Sequence, residues 1–194
     1  MTISVKQVPK IELPAGQVFH RVQRTVVRKG SVKINRMILP PAGIKAGRFC
    51  LGTGVTAYLA DSAETALYEA VFRRELKNHV PLEDLRLKAL GTFTSTKPLR
   101  LLDLRGFEEQ YPVLQSQRIQ HTQAFAEECF GEGYDGIFYA SAQHPHHECV
   151  CLFEAGAKKL RLVEVWPLVK PGTNILHGAV IEAARRWEIG RAHV

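Results

Sequence analysis

The order of apolar and polar residues predicts several short strands along the chain. QVFHRVQRT (17–25) alternates apolar and polar positions and contains β-branched residues, which is typical of a half-buried strand. The apolar run TAYLA (56–60) predicts a second short strand. Further strands are expected at residues 85–96, 99–104, 134–141, 148–155 and 158–168.

Helices are predicted at three places. Asp61 or Ser62 can cap a helix directly after TAYLA, and its apolar residues recur at helical spacing to about Leu76. Residues 106–133 are expected to be mostly helical, because apolar positions recur along them and two glycines close the segment. Residues 172–187 are expected to form a last helix.

These elements indicate one α+β domain, rich in sheet and flanked by helices, over residues 1–187. No strand is expected in residues 1–15, and residues 28–47 are interpreted as a basic loop. The last seven residues, EIGRAHV (188–194), resemble the translation of a common sequencing-adapter oligonucleotide. We therefore expect a non-native tail there.

Composition points to a cytoplasmic globular protein. Hydrophobic residues make up 45% of the chain and charged residues 23%, and no run of 18 apolar residues exists that would cross a membrane. The first residues lack the apolar core of a secretory signal. The four cysteines are scattered in a chain that is large enough to fold without disulfide bonds, so reduced thiols are expected.

Positive charge is concentrated in the first third of the chain. Residues 1–60 hold ten Lys and Arg residues and one acid, Glu12. Such a segment attracts anions, and the favoured partners are a phosphate-bearing small molecule or an acidic protein segment. Nucleic acid is disfavoured, because the basic residues are not interleaved with aromatic residues and match no DNA-reading motif.

Candidate chemistry gathers around the predicted strand TAYLA and its helix. Glu69 taken alone would be an ordinary solvated helix residue. However, its helix follows the strand at once, Arg48 precedes that strand, and Tyr58 lies within it. A half-buried carboxylate needs a cationic or hydroxyl partner, which these two residues can supply. Gly47 beside Arg48 would allow the backbone to approach a phosphate closely.

Two other chemistries are disfavoured. HPHHE (144–148) carries metal-ligating side chains, but adjacent loop residues rarely converge on one ion and the spacing of known zinc motifs is missing. No metal site is therefore expected. Cys50 or Cys129 as a nucleophile is also disfavoured, because no local signature places a histidine beside either thiol.

Three separated motifs resemble the RES domain family. They are an FHRV strand, the stretch GRF…YLADSAETALYEAVF and the later YDGIFYASAQHP, and they span roughly residues 17–155. The resemblance implies a split mixed or antiparallel sheet core like that of ADP-ribosyltransferases. It implies a toxin that degrades NAD+ by hydrolysis or phosphorolysis, with inorganic phosphate as co-substrate in the second case and no resident cofactor. It also implies a cognate antitoxin with an Xre-type helix-turn-helix.

The resemblance assigns site residues one by one. Arg48, Tyr58 and Glu69 match the family's catalytic arginine, tyrosine and glutamate, and the expected substrate-binding residues are Arg21, Gly47 and Ser141. One departure concerns the positions after the arginine, where many members have tryptophan and asparagine. This chain has Phe49 and Cys50 instead, which puts one pocket contact in question.

The family's chemistry implies a role for each of these side chains. The carboxylate of Glu69 would stabilise an oxocarbenium-like state, and the two arginines would bind the pyrophosphate. Tyr58 would stack on nicotinamide or bond the ribose, and Ser141 would bond the substrate or orient Glu69. The alternatives are ADP-ribosyl transfer to a protein, or a non-enzymatic partner-binding module. Under any of these interpretations, the protein can form a homo-oligomer or a hetero-complex.

Overall fold

A computed structural model describes residues 4–73, 79–107, 111 and 119–186. Ten strands lie in these ranges: β1 Lys10–Leu13, β2 Val18–Arg24, β3 Val32–Ile34, β4 Met37–Leu39, β5 Thr56–Ala60, β6 Lys88–Ser95, β7 Leu99–Asp103, β8 Gly136–Ala140, β9 Glu148–Phe153 and β10 Leu160–Pro167. The helices are α1 Ala63–Ala70, α2 Leu82–Arg86, α3 Ile119–Gly131, α4 Glu154–Lys158 and α5 Gly178–Arg186, and a 3-10 turn covers Val5–Gln7.

Eight strands form one mixed sheet in the order β1-β7-β8-β9-β5-β2-β6-β10. Neighbouring strands are antiparallel except β7 and β8, which run parallel. The strands β3 and β4 form a separate hairpin. The chain is thus a single α+β domain built on a mixed sheet, as the sequence predicts.

The two faces of the sheet bury different cores. One face packs against α1, α3 and α5, with Leu67, Phe125 and Val180 among the buried helix residues. The other face packs against the β3–β4 hairpin, whose Met37 and Leu39 are almost completely buried. Since apolar burial stabilises by about 25 cal/mol per Å², both layers contribute to holding the sheet.

The sheet is nearly divided between β2 and β5. These strands pair at a single position, His20 with Ala60, whereas β2 pairs with β6 along its whole length. The gap is bridged by Arg21, whose Nη1 donates a 2.6 Å hydrogen bond to the carbonyl oxygen of Tyr58. The divided sheet leaves a cleft that opens beside α1.

Several predicted boundaries need correction. The lead-in at residues 1–15 contains β1, and the basic segment at 28–47 contains the β3–β4 hairpin. Two five-residue helices, α2 and α4, replace the ends of predicted strands. Ser62 caps α1 as expected, accepting a hydrogen bond from the Thr65 N–H, but the helix ends at Ala70.

The remaining predictions concern the helix at 106–133, the tail at 188–194, the cysteines and the membrane. The helix expected at 106–133 is seen as α3, while residues 108–110 and 112–118 lie outside the described part of the chain. The same is true of the expected tail at 188–194. The four cysteines, for which reduced thiols are expected, are free and also buried. Within the described ranges, no helix combines the length and apolar character needed to span a bilayer.

Candidate active site

A cleft of about 720 Å³ lies between α1, the loop before β5 and the divided part of the sheet. This volume falls in the range of roughly 300–1,000 Å³ usual for small-molecule sites. Five of the six site residues expected from the sequence line the cleft: Arg21, Gly47, Arg48, Tyr58 and Glu69. The sixth, Ser141, stands behind Glu69, and the next two residues along the chain line the wall.

The carboxylate of Glu69 is held from behind by Ser141. The Ser141 hydroxyl donates a 2.5 Å hydrogen bond to Oε1 of Glu69. The same hydroxyl oxygen accepts the N–H groups of Gln143 at 3.2 Å and His144 at 2.9 Å. Because a hydroxyl has one proton and two lone pairs, these three bonds use its full capacity. The geometry therefore favours an orienting role for Ser141 over direct contact with a ligand.

A thiol lies on the other side of the same carboxylate. Cys149 lines the cleft, and its Sγ is 4.0 Å from Oε1 of Glu69. Burial raises the pKa of this thiol, and the neighbouring carboxylate raises it further. Cys149 is therefore a neutral thiol at physiological pH and not a nucleophile.

Arg48 lies at the wall of the cleft, against aromatic rings. Its guanidinium carbon is 5.0 Å from the ring centre of Tyr139 and 5.7 Å from that of Phe49. Arginine over an aromatic face is attracted to the ring electrons, and its planar group is thereby oriented. Burial raises the pKa of Tyr139, so this ring remains neutral.

Tyr58 holds the loop that carries Arg48. Its hydroxyl oxygen accepts the backbone N–H of Phe49 at 2.8 Å and lies 3.5 Å from the Sγ of Cys50. Burial strongly raises the pKa of Tyr58, so the hydroxyl stays protonated. The ring lines the cleft. The hydroxyl is thus committed to the protein, and the ring remains available to a ligand.

Glycine is required at position 47 because the backbone there passes very close to the side chain of Tyr58. A Cβ at this position would lie 2.6 Å from the hydroxyl oxygen of Tyr58 and 3.1 Å from the Sγ of Cys50. Both distances are shorter than van der Waals contact. The backbone N–H of Gly47 donates to the same sulfur at 3.2 Å. Glycine therefore lets the loop pass close over Tyr58 and fixes the position of Arg48.

Arg21 supplies a second cation to the cleft. Its Nη1 donates to the Tyr58 carbonyl, whereas its buried Nε has no hydrogen-bond partner among the described residues. Burial lowers the pKa of Arg21 to about 10, so the guanidinium remains charged at neutral pH. Arg21 and Arg48 thus bring two guanidinium groups to the cleft beside one oriented carboxylate, and Arg73 also lines it.

The comparison with protein families decides the assignment. The model of the RES domain matches residues 19–171. The chain belongs to the RES domain family. This match begins at the FHRV motif and continues past the YDGIFYASAQHP motif.

A solved structure supports the fold of this RES domain. The chain resembles one in the crystal structure of the M. tuberculosis MbcT-MbcA toxin-antitoxin complex, with a TM-score of 0.58 and 17% sequence identity. The likeness covers 81% of this chain and 86% of that chain. At this identity it is evidence for the shared fold. No curated protein matches the sequence.

The cleft of this RES domain also contains residues that the sequence did not single out: His20, Arg73, Tyr139, Gln143 and Cys149. Tyr139 and Cys149 could have been found from strand pairing, because they are register partners in β8 and β9. Arg73 follows Glu69 by four residues, a spacing that places side chains on the same side of a helix, although α1 ends at Ala70. His20 directly precedes Arg21 at the one pair between β2 and β5.

The histidine-rich loop of the RES domain contacts α1. Among the residues that the structure describes, no three His, Cys, Asp or Glu side chains are grouped as metal ligands would be. Instead, Nδ1 of His144 lies 2.8 Å from Oγ1 of Thr65, and Nδ1 of His147 lies 2.9 Å from Oδ2 of Asp61. The loop is thereby bound to the start of the helix that carries Glu69.

Proposed function

We propose that this RES domain cleaves the nicotinamide–ribose bond of NAD+ in the cleft lined by Glu69, Arg48 and Arg21. One observation carries the proposal. A carboxylate oriented by a hydroxyl and a pair of guanidinium groups share one cleft of about 720 Å³. This combination is complementary to NAD+, since a positive charge develops at its ribose while its pyrophosphate is anionic.

Glu69 acts on the ribose in this proposal. As the bond between the ribose carbon and the pyridinium nitrogen breaks, its electron pair moves to the nitrogen and neutral nicotinamide leaves. The ribose ring gains oxocarbenium character, which a nearby carboxylate stabilises electrostatically. The bond from Ser141 keeps Oε1 of Glu69 in one position. The charge is therefore already in place when the reaction begins, and no reorganisation is needed.

The two arginines bind the anionic part of the substrate. Guanidinium groups donate paired N–H bonds to phosphate oxygens. Arg48 is oriented by Tyr139, and Arg21 is held by the Tyr58 carbonyl, so both enter the complex with little loss of side-chain freedom. The face of Tyr58 provides a flat surface for the nicotinamide ring.

The acceptor completes the reaction. Water attacking the ribose carbon gives ADP-ribose and releases a proton. Inorganic phosphate attacking the same carbon gives ADP-ribose 1″-phosphate, and the arginines of the cleft would also favour its approach. Both acceptors are consistent with the cleft, and neither needs a covalent enzyme intermediate.

We further propose that the protein is a toxin that a cognate antitoxin with an Xre-type helix-turn-helix neutralises. Membership of the RES family and the fold shared with a chain of a toxin–antitoxin complex support this proposal. The basic first third of the chain suits an acidic antitoxin segment. Expression in bacteria is expected to deplete NAD+ and arrest growth, whereas unchanged growth at high expression would argue against a toxin.

The test of the activity is NAD+ consumption by the purified protein, with and without inorganic phosphate. A loss that needs phosphate identifies a phosphorylase, and a loss without phosphate identifies a hydrolase. Radiolabelled NAD+ and a cell extract separate these outcomes from ADP-ribosyl transfer, which would label a protein. Intact NAD+ under all conditions would refute the proposed cleavage.

A substitution at Gly47 tests whether the loop position governs the reaction. We expect Gly47→Ala to lower kcat/KM for NAD+ by about tenfold, because the added Cβ must displace the loop that carries Arg48 and a 1 Å misplacement can reduce a rate roughly a hundredfold. Steady-state kinetics at saturating acceptor measures the effect. Gly178→Ala is the control, since open space surrounds that glycine. Equal kcat/KM for the two variants would contradict the prediction.

A further inference from the structure

The loop behind Glu69 closes on itself around Ser141. The Ser141 N–H donates to the carbonyl of His147 at 2.8 Å, and the His147 N–H donates to the carbonyl of His144 at 3.2 Å. The His144 N–H in turn donates to the Ser141 hydroxyl oxygen at 2.9 Å. The position of the Ser141 hydroxyl therefore depends on where His144 and His147 lie.

The side chains of these two histidines form a stacked pair. Their ring centres are 3.7 Å apart and their planes differ by 8°. The pair is bound to Thr65 in α1 and to Asp61 in the turn before that helix. Tyr68, also on α1, contacts His144 edge-on with ring centres 4.6 Å apart. The helix that carries Glu69 and the loop that carries Ser141 are thus joined through the two rings.

We propose that the His144–His147 pair positions the catalytic carboxylate and releases it when both imidazoles are protonated. This inference rests on the proposed function, because it assigns the pair a role in presenting Glu69 to the substrate. The histidines act through Ser141 and do not line the cleft themselves. They are positioning residues, and protonation of the second ring is the event that loosens the loop.

Charge explains why the second proton is the disruptive one. From α1 and the turn before it, Asp61, Glu64 and Tyr68 face the pair, and Arg186 faces it from α5. The backbone N–H of Glu148 binds the Asp61 oxygen that also contacts His147, and the Glu148 carboxylate pairs with Arg105. Asp61 contacts His147 and can balance one positive charge on the pair. Two cationic rings stacked at 3.7 Å would repel each other.

The direction of the pH effect follows from His144. Burial lowers its pKa below the ordinary 6.5, and the charge of His147 lowers it further. The folded protein therefore holds fewer protons than the unfolded chain just below pH 6.5. The stability that the neutral His144 ring contributes is fully present above pH 6.5. It is lost as the pH falls toward the pKa that His144 has in the folded protein. We expect kcat to fall in the same window, while KM changes little because the arginines lie elsewhere.

Asparagine substitutions remove the titration and keep the hydrogen bonds. An asparagine amide occupies roughly the place of Nδ1, so His144→Asn can still reach Thr65 and His147→Asn can still donate to Asp61. The matched control is His146→Asn in the same loop. His146 is exposed, and its φ of 65° lies in a region that asparagine adopts readily.

Two measurements on the purified proteins test the proposal. Hydrogen exchange of residues 141–147 at about pH 7.5 and about pH 5 reports whether the loop opens, and NAD+ kinetics across the same range gives kcat and KM. In the wild-type protein and the His146→Asn control, we expect acid to lower the protection factors of these amides, calculated against the intrinsic exchange rate at each pH, and to lower kcat about tenfold or more. In the double variant His144→Asn/His147→Asn, both acid effects should disappear.

Each other outcome has a defined meaning. If the loop of the double variant opens at the same pH as that of the wild type, the proposal is overturned. If no protein consumes NAD+ at neutral pH, the proposed function fails, and hydrogen exchange alone still decides whether the pair controls the loop. Should the double variant not fold, the single variant His147→Asn replaces it, with loss of the acid-induced opening as the supporting result and its retention as the opposing one.

Discussion

Replacement of Glu69 by glutamine is expected to reduce kcat for NAD+ cleavage by about a thousandfold. Glutamine keeps the size of the side chain, and its amide oxygen can still accept the hydrogen bond from Ser141. Only the negative charge is lost. Removal of one electrostatic contact to a charge that develops in the transition state typically lowers kcat by roughly 100- to 1,000-fold, and a full charge lies at the upper end.

Steady-state rates with NAD+ in excess of KM measure this change in kcat, and thermal unfolding checks that the variant is folded. Glu128→Gln is the matched control, because it makes the same chemical change at an exposed glutamate of α3. We expect this control to retain wild-type kcat. A Glu69→Gln variant within tenfold of wild type would show that the carboxylate is not the main source of stabilisation.

Replacement of Arg48 by lysine is expected to lower kcat/KM for NAD+ by about 10- to 100-fold, mainly through a higher KM. Lysine keeps the charge but loses the planar, two-pronged donor and its alignment over Tyr139. A charge-assisted hydrogen bond contributes about 1.5–3 kcal/mol, which corresponds to the expected loss. Initial rates over a range of NAD+ concentrations separate KM from kcat.

Arg28→Lys provides the comparison for Arg48→Lys. Arg28, like Arg48, lies in the basic first 60 residues, and it is exposed, so this change preserves net charge without touching the cleft. If the basic segment acted only through its overall field, the two variants would behave alike. A large loss at Arg48 and none at Arg28 would instead assign the effect to a directed contact.

The strands next to the cleft could be predicted from the sequence because their patterns are regular. The alternation around Arg21 gave β2, and the apolar run around Tyr58 gave β5 with both ends correct. The cap at Ser62 gave the start of α1. Its end was placed too late, because Val71 and Phe72 are buried outside the helix and continue its apolar pattern.

The missed elements are those with weak local signals. The hairpin strands β3 and β4 have three residues each, and their turn is formed by Asn35 and Arg36, both with positive φ. A turn of this kind is usually signalled by a glycine, which is missing here. The helices α2 and α4 have only five residues and no side-chain cap, so their start signals are weak in the sequence.

The composition of the site could be anticipated, but its internal arrangement could not. The family motifs supplied Arg48, Tyr58 and Glu69, and the structure brings all three to one cleft. The bond between Ser141 and Glu69 joins residues 72 positions apart, and no local pattern specifies such a contact. Likewise, the closeness of Gly47 to Tyr58 depends on how the loop folds over β5.

In the β3–β4 hairpin, the side chains that stabilise the fold are different from those that are exposed on the surface. Ile34, Met37 and Leu39 are buried in the core, while Lys33, which precedes Ile34 in β3, is exposed. Asn35 anchors the tip by donating to the carbonyl of Lys158 at 3.0 Å. Because anchoring and charge reside on different side chains, the basic character of this region can drift through evolution, or be redesigned for a new partner, without dismantling the domain beneath it.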